Sequence, residues 1–302
     1  MRPAVEIRGL SKSYGNVKAL DGIDLTVEQG ELFGLIGPDG AGKSSLYRIL
    51  ATLSDPDSGT AFVCGLDTRK DSDRLRRRVI GYMPERFSLY ADLTVMENLR
   101  FHASLYGVSL RESYPLIAPV FRQLERFPDR KAGALSGGMK QKLALSCALI
   151  HRPSILLLDE PTTGVDAVSR AEFWETLAGL KAGGITIVVS TSYMDEAAMC
   201  GRVALISKGR ILASGTPAGL VAALDGGLYQ ADAADKFRLL SLLRRMPGVE
   251  DCYTFGATLH MAVSPSFDPA AAVERLVSEG ITDASVSPVS GSLEDLFIKL
   301  TR

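Results

Sequence analysis

One short motif constrains this chain more than any other feature of its sequence. Residues 37–44 read GPDGAGKS and match the pattern G-x-x-x-x-G-K-[ST]. The apolar segment Glu31–Ile36 before the motif predicts a buried strand, and a helix is expected from about Lys43. Between such elements, glycines let backbone N–H groups point at phosphate oxygens, and the helix start adds the positive end of its dipole. The sequence therefore predicts a nucleotide phosphate site, with Lys43 on the β- and γ-phosphates and Ser44 on Mg²⁺.

Two adjacent carboxylates follow another apolar run. Ile155–Leu158 ends in Asp159 and Glu160. Standing alone, this pair is equally consistent with an ordinary acidic turn after a strand. Beside a phosphate loop, it predicts that Asp159 holds Mg²⁺ and that Glu160 is the general base for an attacking water.

A second glycine pair marks another helix start. Residues 135–141 read LSGGMKQ and precede the apolar run Lys142–Ile150. Ser-Gly-Gly at a helix N-terminus exposes unpaired N–H groups and predicts a second anion site. The alternative interpretation is a glycine-rich helix entry without a ligand.

The remaining pattern predicts an α/β fold. Short apolar runs at 154–158 and 185–190 alternate with helical patterns, which is typical of parallel strands buried on both faces. The segment at about 93–149 contains Pro115, Pro119 and Pro128 and is therefore predicted to form several helices. The pattern weakens after residue 217, so a boundary is expected near 218, before a small α+β domain at 218–302. Its last helix opens with a capping-box pattern at Ser292.

Composition limits the class of protein. The chain has 302 residues, which is typical of two domains, and its 46% hydrophobic content excludes disorder. With 34 basic and 35 acidic side chains, the net charge of −1 argues against a nucleic-acid binder, so the run of arginines at 74–78 is interpreted as a solvated helix face.

The longest uncharged stretch, Cys252–Phe267, is too short to span a bilayer, and the N-terminus lacks a secretory apolar core. A cytosolic chain with reduced cysteines is expected.

Together, the phosphate loop, LSGGMKQK, LLLDEPTTGVD and GRILASGTP resemble the nucleotide-binding subunit of an ATP-binding cassette (ABC) transporter. The resemblance covers about residues 4–217, and the ending SLEDLFIKLTR resembles that of multidrug exporter subunits that pair with type-2 permeases. It implies a P-loop NTPase cassette at 1–217, with a mixed-sheet core, a helical subdomain at about 93–149, and an α+β accessory domain. It also implies an ATPase that uses ATP and Mg²⁺ on the cytoplasmic face of the membrane.

The resemblance assigns further roles by position. Tyr14 would stack on adenine, and Asp166 would cross to the opposite monomer. The phosphate contacts would come from residues Gly37, Pro38, Asp39, Gly40, Ala41, Gly42, Lys43, Ser44 and Ser45. The signature residues Ser136, Gly137, Gly138 and Gln141 would act on ATP held by a second cassette. Transmembrane permease subunits and a second ABC subunit, identical or different, are the implied partners.

Two positions depart from the family pattern. Glu85 stands where the family usually has glutamine, and Ser192 stands where it usually has histidine. A carboxylate brings negative charge toward the γ-phosphate, and a serine hydroxyl is shorter than an imidazole. We therefore expect slow turnover at the site built on this chain's own Lys43. The alternative is a regulatory partner in a heterodimer with little hydrolysis of its own. A third class, ABC ATPases acting on ribosomes or DNA, is disfavoured because the motifs are contiguous in a single cassette.

Overall fold

A computed structural model describes residues 2–224 and 227–302. The chain divides between Pro217 and Ala218 into two compact units, each with its own sheet structure.

The first unit contains two sheets and a set of surrounding helices. Its strands are β1 (Val5–Tyr14), β2 (Val17–Val27), β3 (Leu32–Ile36), β4 (Ser58–Val63), β5 (Leu66–Asp67), β6 (Ile80–Met83), β7 (Ile155–Asp159), β8 (Thr186–Thr191), β9 (Arg202–Ser207) and β10 (Arg210–Gly215). Its helices are α1 (Lys43–Leu50), α2 (Ser72–Arg74), α3 (Val95–Tyr106), α4 (Leu110–Phe121), α5 (Gly137–Leu149) and α6 (Ala167–Ala182). Short helical turns of other types lie at Leu75–Val79, Ala132–Ala134 and Met194–Met199.

A six-stranded sheet forms the centre of this unit, in the order β10-β9-β3-β8-β7-β6. All neighbouring strands are parallel except β10, which pairs antiparallel with β9. Every residue of β3, β7 and β8 is buried, as the continuous apolar runs predict for strands covered on both faces. Because parallel strands end at the same edge, the sheet delivers Gly37, Asp159 and Thr191 to one place.

A second, antiparallel sheet in the order β2-β1-β4-β5 was not anticipated from the sequence. Its first two strands form a hairpin in which Tyr14 pairs with Val17, and a glycine-containing turn joins them. Register shifts interrupt this pairing, so the apolar side chains of β1 do not alternate regularly. This irregularity explains why a period-two pattern was not evident.

The predicted helical segment forms α3, α4 and α5, but its breaks differ from those expected. The chain turns at Gly107, whose φ is +64°, and again between α4 and α5. Pro115 and Pro119 lie inside α4 rather than at helix ends. Both prolines are exposed and share one face, whereas Ile117 and Phe121 are buried on the other. Packing of that apolar face compensates for the backbone hydrogen bonds that proline removes.

The second unit is an α+β structure around an antiparallel sheet in the order β12-β13-β11-β14. Its elements from the division onward are α7 (Pro217–Ala222), β11 (Gly227–Asp232), α8 (Lys236–Leu243), β12 (Val249–Phe255), β13 (Thr258–Val263), α9 (Pro269–Ser278), β14 (Ser285–Pro288) and α10 (Leu293–Thr301). Leu239 and Leu243 of α8 share a core with Leu276 of α9 and Met261 of β13. The capping box predicted at Ser292 is present, with both reciprocal hydrogen bonds to Asp295.

Candidate nucleotide-binding site

The phosphate loop lies between β3 and α1 in the predicted context. Its backbone fits only glycine at two positions. A Cβ at Gly42, where φ is +108°, would lie 2.3 Å from the Ala19 carbonyl oxygen, and one at Gly37 would lie 2.2 Å from that of Ile206. Lys43 Nζ donates to the carbonyl oxygens of Gly37 at 2.6 Å and Pro38 at 3.0 Å. The loop is therefore wrapped around the lysine that begins α1.

A cavity of about 580 Å³ opens beside this loop. It is lined by Val17, Lys18, Ala19, Asp39, Gly40, Gly42, Lys43, Ser44, Ser45, Glu85, Glu160 and Lys208. The lining contains side chains of both charges, and Lys18 forms an ion pair with Asp21. Lys208 forms no side-chain ion pair or hydrogen bond with the described residues, so it is a cation available to an anionic ligand.

Glu160 points into this cavity and is fixed by several groups. Its Oε1 lies 2.9 Å from Lys43 Nζ. Its Oε2 accepts from the backbone N–H of Ser192 at 3.2 Å and from Thr163 Oγ1 at 3.1 Å. Its φ is +50°, an uncommon backbone conformation for a non-glycine residue. Such strain persists only where surrounding contacts determine the conformation.

Asp159 lies beneath the cavity at the end of β7. Ser190 Oγ donates to its Oδ1 at 2.6 Å, and the Ser44 hydroxyl is a further hydrogen-bond partner. Burial raises the pKa of Asp159, and the nearby carboxylates of Glu160 and Glu85 raise it further, against the lowering effect of the two serines. A nearby cation would relieve this accumulation of negative charge.

The Ser44 hydroxyl and the Asp159 carboxylate together form an oxygen donor pair of the kind that suits Mg²⁺. This ion usually takes one or two protein oxygens and completes its shell with water and substrate phosphates. Within residues 2–224 and 227–302, no group of three or more His, Cys, Asp or Glu side chains could hold a metal ion. The Ser44 and Asp159 oxygens would therefore need water and substrate phosphates as further ligands.

The two unusual positions reach the site differently. Glu85 is exposed and lines the cavity two residues after the end of β6. Ser192 reaches it through its backbone N–H, which donates to Glu160. The three histidines lie elsewhere: His151 stacks on Tyr106 at 4.0 Å, His102 contacts Phe101, and His260 belongs to the second unit.

Tyr14 lies near the cavity mouth, at the end of β1. It is 44% exposed and pairs in register with Val17, which lines the cavity. Lys12 Nζ lies 5.7 Å from the centre of its ring. An exposed aromatic ring at this position is available to stack on a planar ligand.

The signature residues form a separate location. Ser136 caps α5 by accepting from Met139 N–H, while Ser136, Gly137, Gly138 and Gln141 are absent from the cavity lining described above. A Cβ at Gly138 would lie 2.7 Å from Ser169 Oγ, so only glycine allows α5 to approach α6 this closely. Asp166 caps α6 by accepting from Ser169 N–H at 2.9 Å, and this hydrogen bond lowers the pKa of Asp166. The start of α5 and the start of α6 therefore form one packed surface.

Several polar residues of the site were missed in the sequence. Ser190 and Thr191 end β8 beside Asp159, and Thr163 contacts Glu160. The sequence does show that the apolar run at 185–190 ends in polar residues. Because parallel strands end at the same edge of a sheet, this pattern could have predicted that these hydroxyls lie at the site. No sequence pattern predicts that Lys18 and Lys208 line the cavity, because only the fold brings their two hairpins there.

The parallel sheet, the phosphate loop between β3 and α1, and the carboxylates ending β7 define a P-loop ATPase cassette. A family model described as ABC transporter matches residues 20–163. The probable multidrug ABC transporter ATP-binding protein YbhF of Escherichia coli (strain K12) is 38% identical over 98% of this chain. The Nod factor export ATP-binding protein I of Burkholderia lata is 36% identical over 98% of this chain and 96% of its own length. The chain belongs to the ABC transporter family and contains its ATPase cassette, as the sequence motifs predicted.

Two further comparisons bear on length and fold. The chain spans 52% of the length of YbhF. A dimeric structure of the cassette MJ0796 in a post-hydrolysis state, bound to ADP and Pi, matches 70% of this chain with a TM-score of 0.64 and 27% identity. A structure of an ATP-binding subunit of an ABC transporter covers 72% with a TM-score of 0.66 and 31% identity. In the described part of the chain, every helix is too short or too polar to cross a membrane.

Proposed function

We propose that this chain binds ATP with Mg²⁺ and hydrolyses it to drive an exporter. The observation that carries the proposal is that Lys43, Ser44 and Glu160 line one cavity, with Asp159 hydrogen-bonded to Ser44. Lys43 and the loop amides hold the phosphates, while Ser44 and Asp159 would hold Mg²⁺, which supplies positive charge on the phosphate oxygens. The cassette is proposed to occupy residues 1–217, with 218–302 as an accessory domain.

Glu160 is proposed as the general base. It accepts a proton from a water molecule as the water oxygen bonds to the γ-phosphorus, and the bond from that phosphorus to the ADP oxygen breaks. Its contacts with Ser192 N–H and Thr163 Oγ1 use Oε2, so Oε1 is the oxygen that a bound nucleotide would release from Lys43. Tyr14 is proposed to stack on the adenine.

Turnover at this site is proposed to be slow because of two side chains. Glu85 adds a third carboxylate near Asp159 and Glu160, where γ-phosphate charge must also be held. Ser192 lacks the imidazole that the family resemblance implies for this position, where it would donate to the γ-phosphate. By analogy with the loss of one oxyanion donor, each lost contact lowers turnover by about 10²–10³-fold.

A second cassette is proposed to complete the site. The surface formed by Ser136, Gly137, Gly138 and Asp166 lies apart from this chain's own cavity, so it is available to ATP held by another subunit. Dimeric structures of a related cassette support this arrangement. The second subunit is a copy of this chain or a different cassette.

The permease partner is proposed to dock near the start of α3. Asn98 is fully buried and bonds four backbone groups between Tyr90 and Thr94, which holds this loop in one conformation. Tyr90 before α3, and Phe101 and Leu105 on α3, are large apolar side chains with 40–63% exposure. The names of relatives, which mention multidrug transport and Nod factor export, support an exporter. A position at the cytoplasmic face of the membrane is proposed with it. A drug or lipid-like cargo is proposed.

The second candidate function is a nucleotide-binding partner that regulates a heterodimer with little hydrolysis of its own. The observation favouring it is the pair of departures at Glu85 and Ser192 at an otherwise complete site. In that complex, the intact surface at Ser136 would serve the other subunit's ATP.

ATP hydrolysis by the purified chain across a concentration series tests the proposal, with Glu160→Gln as the control. Turnover that the control loses, and that rises faster than linearly with protein, supports a hydrolysing homodimer. Nucleotide binding without such turnover supports the regulatory partner. Ser192→His and Glu85→Gln are expected to raise turnover, and unchanged rates in both would contradict the slow-site explanation.

A further inference from the structure

The segment that carries Ser192 contacts the proposed base through backbone rather than side chain. Ser192 N–H donates to Glu160 Oε2 at 3.2 Å, and the preceding Ser190 supports Asp159 through Oγ. A backbone donor can hold a carboxylate only where the peptide itself is held. The position of residues 191–193 therefore contributes, together with Lys43 and Thr163, to where Glu160 is placed.

Thr191 fixes this segment on two sides. Its carbonyl oxygen accepts from Gly37 N–H of the phosphate loop at 3.2 Å. Its buried Oγ1 accepts from Tyr193 N–H at 3.0 Å and donates to Glu196 Oε2 at 2.6 Å. The Ser192 peptide lies between these anchored groups, so the Thr191 side chain sets its orientation.

Glu196 is a buried carboxylate outside the cavity, with 3% exposure. One of its oxygens holds Thr191, and the other lies 3.8 Å from Arg170 Nε of α6. Among the residues that the structure describes, neither this Oε1 nor Arg170 Nε has a hydrogen-bond partner. An ionised carboxylate is costly to bury without a compensating charge, and Arg170 provides one.

Arg170 connects this arrangement to the start of α6. It follows Asp166, the residue that caps α6, by one helical turn, and its N–H donates to the Asp166 carbonyl oxygen at 2.9 Å. Its guanidinium also lies over the Tyr193 ring, with Cζ 4.5 Å from the ring centre. The segment carrying Ser192 is thus attached to α6 both through Glu196 and through Tyr193.

We propose that Glu196, acting through Thr191, is a positioning residue for Glu160, and that Arg170 links this placement to the helix that Asp166 begins. The inference rests on the proposed role of Glu160 as the base. It adds a contact path through the side chains of Thr191, Glu196 and Arg170, none of which lines the cavity. Displacement of α6 against the Ser192 segment would move the base away from the attacking water.

Thr191→Val tests this path with an isosteric change that removes both hydrogen bonds of Oγ1. We expect kcat to fall about 10- to 100-fold, because small misplacements of a reacting group carry costs of that size, while KM for ATP stays within about twofold. Glu196→Ala should give a similar loss. Glu196→Gln, which retains an oxygen acceptor for Thr191, should recover most of it. The double variant Arg170→Met/Glu196→Gln should lower kcat little more than whichever of the two single substitutions lowers it more.

Thr186→Val is the matched control. Thr186 is buried at the other end of the same strand, and its Oγ1 also accepts a backbone N–H, from Gly30 at 2.9 Å. We expect the control to lower stability to a similar degree and to leave kcat unchanged. Equal kcat losses in Thr186→Val and Thr191→Val would reduce the effect to general destabilisation and overturn the inference.

Glu160→Gln separates failure of this inference from failure of the proposed function. Full turnover in Glu160→Gln would reject Glu160 as the base. Loss in Glu160→Gln without loss in Thr191→Val would reject only the positioning path. A crystal structure of Thr191→Val gives a readout independent of rate: a Ser192 N–H that has moved out of hydrogen-bond distance of Glu160 supports the path, and an unchanged contact overturns it.

Discussion

Lys43 Nζ and Glu160 Oε1 lie 2.9 Å apart in an ion pair whose side chains are only 4% and 6% exposed. The lysine that is expected to bind phosphate is thus already paired with the carboxylate that is expected to activate water. A γ-phosphate entering the cavity must replace Glu160 as the partner of Lys43. Nucleotide binding would then release the base at the moment when its substrate is in place.

The first prediction follows from this exchange. Glu160→Gln removes the competing charge, so ATP affinity should increase by about five- to tenfold, corresponding to roughly 1–1.4 kcal/mol, while turnover is lost. Titration of the variant with a fluorescent ATP analogue measures the affinity. Glu172→Gln is the matched control, since Glu172 pairs with the buried Lys142 at 2.5 Å on another surface. Weaker binding by Glu160→Gln than by the unchanged chain would contradict the exchange.

The second prediction concerns the contact between the starts of α5 and α6. Gly138→Ala places a methyl group 2.7 Å from both Cβ and Oγ of Ser169, so we expect a loss of about 1–3 kcal/mol in unfolding free energy from overpacking. Adding Ser169→Gly should recover part of that loss, because it removes both opposing atoms. Thermal unfolding of Gly138→Ala, Ser169→Gly and the double variant measures this coupling.

Gly179→Ala is the control for that series. Gly179 lies inside α6, and a Cβ there meets nothing within 4 Å. Alanine is favoured over glycine in a helix interior by up to about 1 kcal/mol, so this variant should be neutral or more stable. Equal destabilisation by Gly138→Ala and Gly179→Ala would show that the close approach of Gly138 to Ser169 is unimportant.

The third prediction uses the charge at Asp159. Burial, together with Glu160 and Glu85, raises the pKa of this carboxyl, so its ionised form destabilises the chain when no cation is bound. Asp159→Asn should therefore raise the melting temperature in the absence of Mg²⁺ and reduce the stabilisation that Mg²⁺ adds to that given by ATP alone. The ordinary chain should gain more from Mg²⁺ with ATP at pH 8 than at pH 5, since protons compete with the metal for a carboxyl of raised pKa. Calorimetry with and without Mg²⁺ and ATP at the two pH values measures both effects, and stabilisation by Mg²⁺ that is equal in the variant and the unchanged chain would exclude Asp159 as a ligand.

The sequence predicted those parts of the site that depend on strand ends and a local motif. Gly37, Lys43, Asp159 and Glu160 were placed because each follows a strongly apolar run or belongs to a motif of fixed spacing. The α/β fold with parallel strands followed from the same runs, whereas the mixed-sheet core was implied by the family resemblance. The predictions agree with the structure here because local propensity and burial favour the same conformation at these positions.

Relationships between distant segments were not predictable in the same way. Nothing in the sequence places Thr191 against Glu196, or requires Gly138 to be small because of Ser169, since both depend on how helices pack. The helix breaks predicted at Pro115 and Pro119 were wrong for a related reason. Tertiary packing of Ile117 and Phe121 stabilises α4 in spite of the local preference of proline against helix.

The last prediction concerns a buried hydrogen-bond network in the second unit. Asp295 is 1% exposed, and its oxygens accept from Tyr253 at 2.8 Å, from Ser292 N–H at 2.8 Å and from Ser292 Oγ at 2.6 Å, while His260 Nδ1 lies 2.7 Å away. Burial alone would raise the pKa of Asp295, but the hydrogen bonds from Ser292, His260 and Tyr253 outweigh it and hold the pKa below the ordinary value of 3.8. A carboxyl with a depressed folded-state pKa stabilises the fold above pH 3.8, and this contribution is lost as the pH falls through the lower, folded-state value.

Asp295→Asn should therefore cost about 1–3 kcal/mol near neutral pH, because it leaves buried donors without a charged acceptor, and the cost should diminish in acid. Hydrogen exchange in β12 and β13 is the suitable measurement, since the single tryptophan, Trp174, lies in the first unit and does not report on this one. Asp268→Asn serves as the control, because Asp268 is an exposed helix cap and asparagine caps helices equally well. A loss of amide protection in Asp295→Asn, relative to the unchanged chain at the same pH, that is as large well below pH 3.8 as at pH 7 would show that packing, rather than the charge of this carboxylate, stabilises the network.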